Sequence, residues 1–127
     1  MKTYKEMRGH PEDFIVSYEL FPETKGGRKA TYQHLRCDFL YKDDDPFNGG
    51  IFMIHPEFID ESGQPWGSDT PVPLNGHATM WILVAEMREK VHRARIEVGT
   101  EGYFVEGSRK IGKVCVEQIV GLHTNDS

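Results

Sequence analysis

Cysteine is scarce in this chain, with Cys37 and Cys115 the only two among 127 residues. Two thiols make no disulfide framework and fit a reduced, cytoplasmic setting. Apolar runs are short too. No 18-residue stretch offers a membrane span, and no apolar segment of signal-peptide type follows Met1-Lys2-Thr3-Tyr4-Lys5. The phosphate-cradling pattern G-x-x-x-x-G-K-[ST] is missing, which excludes P-loop nucleotide hydrolysis. No C-x-x-C or H-E-x-x-H occurs, and the six histidines are scattered without metal-ligand spacing. No cofactor, no metal and no catalytic constellation is therefore expected. Lys and Arg number 15 against 20 Asp and Glu, for a net charge of −5. Nucleic-acid binding draws its affinity from neutralised phosphates, so this balance favours a protein partner over a nucleic acid.

What is present reads as one globular domain over residues 1–127, with 28% charged and 38% hydrophobic residues. Phe14, Val16, Tyr18 and Leu20 alternate, which predicts a half-buried strand over 13–21, closed by Pro22 and a turn at Gly26-Gly27. Short strands follow over 35–41 and 51–54. From 55 to 77 the chain is punctuated by Pro56, Gly63, Pro65, Gly67, Pro71, Pro73 and Gly76, a long irregular loop. Residues 78–96 point two ways. Met80, Val84, Met87, Val91 and Ala94 keep helical spacing, and 85–90 is rich in helix formers. Yet 79–85 is apolar on both faces, as a barrel strand would be. Ala94, Ile96 and Val98 alternate again. Phe104 and Val105 lead into a tight hairpin at Glu106-Gly107-Ser108-Arg109, where Gly107 is free to take a positive φ. Val114, Val116 and Val120 belong to the last strand.

Four of these pieces, in collinear order from about residue 8 to 121, resemble the third domain of elongation factor Tu. Gly26-Gly27-Arg28 stands where that family has Gly-Gly-Arg, and Arg36 with Asp38-Phe39-Leu40-Tyr41 where it has Arg before Gln-Phe-Tyr-Phe. Val72-Pro73-Leu74-Asn75-Gly76 precedes Met80-Trp81-Ile82-Leu83-Val84, and 103–112 is similar to the family's Phe-Ala-Ile-Arg-Glu-Gly-Gly-Arg-Thr-Val-Gly. The family's glutamine is Asp38 here, and the proline before it is Cys37. The resemblance implies an all-β fold, a single closed antiparallel β-barrel of about six strands, with 78–86 a strand. It also implies contact with the tRNA backbone near Glu106 and Gly107, with Arg28 and Arg109 beside them. The GTPase part of that factor has no counterpart.

Two surfaces are thus candidates. The first expects a non-catalytic module that recognises another protein, as an inhibitor, immunity-type or regulatory partner, through Trp66 and the acidic turn Asp43, Asp44 and Asp45. Trp66 is a side chain of the kind that anchors interfaces; it could equally fold back as a lid on the barrel end. The alternative is an RNA- or tRNA-binding module built on Arg28, Glu106, Gly107 and Arg109. Both arginines follow turn glycines and could clamp a phosphate, or instead pair with Glu19 or Glu106. His55, His77, Asp60 and Glu61 could meet around the long loop. Cys115, in a valine-rich strand, reads as a buried structural thiol.

Overall fold

The computed structural model describes residues 2–127 and contains one antiparallel sheet of seven strands with little helix. The strands are β1 (Phe14–Leu20), β2 (Asp38–Tyr41), β3 (Ile51–Phe52), β4 (Ile54–Ile59), β5 (Asn75–Ile82), β6 (Glu101–Glu106) and β7 (Arg109–Ile119). They lie in the order β3-β2-β6-β7-β1-β5-β4. The alternation of β1 is realised, with Phe14, Val16, Tyr18 and Leu20 all buried. They meet Phe39, Phe58 and Phe104 in one core, where the rings of Tyr18 and Phe58 pack edge to face at 5.0 Å.

The sheet curls into a half-barrel and does not close as a barrel of six strands. β3 and β4 are consecutive, separated only by Met53. The first pairs with β2 at one edge of the sheet, and the second with β5 at the other. Two residues of β3 are too few to carry the ladder from β2 into β4. In place of a ladder, His55 Nε2 and Asp38 Oδ1 bridge the seam at 3.0 Å. The outer edge of β4 is covered in part by a side chain. The buried Gln33 amide donates to Phe58 O at 2.6 Å and accepts from Phe58 N at 2.8 Å, copying a backbone pair.

The irregular connection runs over 60–74, since 55–59 belong to β4 and 75–77 open β5. Pro56 is tolerated because β4 is an edge strand. Beyond β5 the expected strand over 78–86 stops at Ile82, and Ala94, Ile96 and Val98 form no strand. Residues 85–95 are helical instead: α2 (Ala85–Met87), a π-helical turn (Arg88–His92) and α3 (Arg93–Arg95). Local propensity wins here because the inward positions are polar and find partners. Arg88 and His92 are each 1% exposed. Arg88 Nε meets Asp13 Oδ1 at 2.7 Å, and His92 Nδ1 lies 2.7 Å from the Tyr41 hydroxyl. Asp13 also accepts from Ile82 N and Asn125 Nδ2. One short helical segment is therefore tied to β1, β2, β5 and the C-terminal tail, and it plugs the end of the half-barrel where β1 begins.

A second helix, α1 (Tyr4–Arg8), lies over the outer face of β4 and β5. Thr3 and Glu6 form a capping box at its start, and Gly9, at φ 73°, ends it. Tyr4 N donates to Glu57 Oε2 at 3.1 Å, and the Tyr4 ring stacks on Trp81 at 5.7 Å. No helix among the described residues is long and apolar enough to cross a membrane.

Candidate functional site

At the end opposite the helical plug, the chain leaves β4 in a tight turn built by one side chain. Asp60 Oδ1 accepts from Ser62 N at 2.9 Å, Ser62 Oγ at 2.7 Å and Gln64 N at 3.0 Å. Those donors hold the Asp60 carboxyl below its ordinary range, the Ser62 hydroxyl most of all. The turn sends the chain back along β4, where Pro65 bridges Ile59 and Trp66 N donates to Phe58 O at 3.1 Å. Trp66 is half-buried and packs on the core. It folds back over the end of the half-barrel while leaving part of its ring in solvent.

Beside it is a hollow of about 720 Å³, lined by Tyr18, Ile59, Trp66 and Pro73, with Asp60, Glu61 and His77 on its margin. Tyr18 OH donates to Pro73 O at 3.0 Å, fixing the far wall. Burial pushes the Tyr18 phenol up to about 12, so the hydroxyl stays a donor at neutral pH. Three of the four polar residues that the sequence groups around the long loop, Asp60, Glu61 and His77, therefore meet here. His55 does not, because its place in β4 turns it toward Asp38 at the seam.

The acidic turn is elsewhere. Asp44 receives two hydrogen bonds from Arg95, at 2.8 and 3.1 Å, and Arg95 lies 3.7 Å over the Tyr41 ring. The Arg95 guanidinium holds the Asp44 carboxyl below its usual range. Asp45 accepts from Phe47 N and Asn48 Nδ2, and Asp43 is exposed. This turn belongs to the plugged end, so Asp43, Asp44 and Asp45 do not share a surface with Trp66.

Arg28, Glu106 and Arg109 do come together. Arg28 NH1 lies 2.5 Å from Glu106 Oε2, and Arg109 NH2 lies 2.9 Å from Glu106 Oε1. Gly107, at φ 58°, makes the turn between them. Both arginines are thus engaged by one carboxylate, and Glu19 pairs with Lys113. In the preceding loop Gly27 passes so close to Phe21 that a Cβ would fall 1.6 Å from its carbonyl oxygen, so only glycine fits.

Neither cysteine is in a disulfide. Cys37 is buried, which pushes its thiol well up, and Cys115 is half-buried. Among the described residues no group of three or more His, Cys, Asp or Glu could hold a metal ion. What sequence reasoning missed are the buried polar pairs: Asp13 with Arg88, Tyr41 with His92, Gln33 with Phe58, and Glu57 with His34 (2.9 Å). Their partners lie 23 to 75 residues apart, beyond any local pattern. Compared with known proteins, the chain matches no family model and no curated sequence.

Proposed function

We propose that this protein is a non-catalytic module that captures another protein through the hollow beside Trp66. The observation that carries the reading is the hollow's make-up: an apolar floor of Ile59, Trp66 and Pro73 under a margin that includes Asp60 and Glu61. An aromatic anchor in a partly desolvated cleft, with two acids on one side, suits a basic segment with one apolar side chain. The net charge of −5 would speed encounter with such a partner. An inhibitor-type or regulatory role follows from this reading, and the chemistry of the hollow asks for no cofactor.

The RNA-binding alternative has one observation in its favour, the clustering of Arg28, Glu106, Gly107 and Arg109. Against it stands Glu106, which engages both arginines and would face a phosphate itself. The protein reading is therefore preferred.

The test is affinity capture from lysate with and without RNase, comparing the wild type with Glu61→Lys and with Asp43→Lys. Both substituted residues are exposed. A protein retained by the wild type and by Asp43→Lys, but lost with Glu61→Lys, is the expected result. Equal retention by all three, or loss on RNase treatment, overturns the reading.

A further inference from the structure

Of the seven arginines, five have their guanidinium groups engaged: Arg28 and Arg109 by Glu106, Arg88 by Asp13, Arg95 by Asp44, and Arg93 by the carbonyls of Leu122 and Asn125. The remaining two, Arg8 and Arg36, make no side-chain hydrogen bond or ion pair among the described residues. Both line one cavity of about 600 Å³. Arg8 Nε is buried without a partner. Such a donor carries a desolvation cost that a bound acceptor would remove.

The cavity sits on the seam where the sheet's two edges meet without a ladder. Arg36 and Asp38 come from the approach to β2 and its first residue, Met53 from between β3 and β4, and Leu83 from just past β5. The roof is α1, whose Tyr4, Met7 and Arg8 share a face by their i, i+3, i+4 spacing. That roof is held in place by the Tyr4 and His10 stacks on Trp81 and by His10 Nε2, 2.8 Å from Ser127 O. The Tyr4 hydroxyl makes no hydrogen bond among the described residues, which leaves it as a third donor. Met7 and Met53 are large apolar side chains 54% and 52% exposed.

The charges set the ligand's valence. Arg8 and Arg36 contribute two positive charges and Asp38 one negative, while His55 is held by Asp38. The excess is a single positive charge. Glu57, behind Tyr4, is already occupied by Tyr4 N and His34.

We propose that this cavity binds the carboxylate of a small amphiphilic organic acid, with Arg8, Arg36 and the Tyr4 hydroxyl on the carboxylate and Met7, Met53 and Leu83 along its apolar body. Paired guanidinium donors match the planar carboxylate, and the cavity volume lies in the ordinary range for small-molecule sites. The site is separate from the Trp66 hollow and stands or falls without it.

The experiment is calorimetric titration of the whole protein with sodium octanoate, octanol, octyl phosphate and inorganic phosphate. Octanoate is expected to bind, with affinity at least about tenfold above octanol. Arg36→Gln, at an exposed position, should reduce octanoate affinity about tenfold, while Arg109→Gln, outside the cavity lining, should leave it unchanged. Thermal melts check that each variant is folded. Equal binding of octanol shows that the arginines do not recognise charge, and equal binding of inorganic phosphate shows that the methionines do not matter. Tighter binding of octyl phosphate contradicts the single-charge assignment. Any of these, or no octanoate binding, overturns the proposal.

Discussion

Burial decides the charge of His92. Desolvation first, then the nearby Arg95 and Arg88, lower its pKa to about 4, against the opposing pull of Asp13. In the unfolded chain the imidazole titrates near ~6.5. The folded state thus binds the proton less readily, so His92 contributes full stability above about pH 6.5 and loses it as pH falls toward 4. The wild type should lose on the order of 3 kcal/mol across that window through this residue. Urea midpoints measured from pH 7 to 4 should fall less steeply in His92→Gln than in the wild type. Parallel curves would mean that folding leaves the ring's proton affinity unchanged, which would overturn this assignment. No sequence pattern announces such a residue, because its neutrality depends on Tyr41 and Phe52, both about 40 or more positions away. By contrast the β1 alternation and the positive φ of Gly107 follow from local rules, and the chain obeys them.

The helical segment 85–95 shows what an element gains from polar anchors. Arg88 and Asp13 are 1% and 0% exposed in their side chains, and Arg88 NH1 is left without a partner. A buried ion pair is weak evidence for net stability, but removing one member strands the other charge. Arg88→Met should therefore cost about 3–5 kcal/mol in chemical unfolding. Adding Asp13→Asn to that variant should recover part of the loss, since the carboxylate is gone and Ile82 N keeps an acceptor. A double variant as unstable as the sum of the two singles would rule out this coupling. Apolar spacing alone, through Met87 and Val91, does suggest a helix here. The barrel resemblance argued for a strand, and the inward-facing arginine and histidine look like surface residues in sequence. The element's polar anchoring is therefore not legible locally, whereas the strands expected over 13–21 and 35–41 are present, shortened to 14–20 and 38–41.

At the scale of the molecule, the half-barrel presents two ends and a seam with different chemistry. One end is plugged by the helical segment, and the other holds Trp66 over an acid-margined hollow. The seam places Arg8 and Arg36 together. The Arg28, Glu106 and Arg109 cluster carries its own carboxylate, which a phosphate would meet. A tRNA gel shift at low ionic strength is accordingly expected to show no retardation. Retardation that weakens steeply with added salt would restore the RNA-binding alternative. The strand-rich architecture was legible in the spacing of glycines and alternating apolar residues. The seam was not, because it depends on Met53 dividing one extended stretch into two partners.

That divided stretch, 51–59, has a consequence for how the chain assembles. Its halves dock on opposite margins of the sheet, each beside its neighbour in the chain, β2 for the first and β5 for the second. Each half can zip locally, with Leu40 opposite Ile51 and Ile59 opposite His77, but the two hairpins become one sheet only through β6, β7 and β1. The rate at which the protein reaches its native state should then be governed by how readily β1 and the β6–β7 pair bridge two early hairpins.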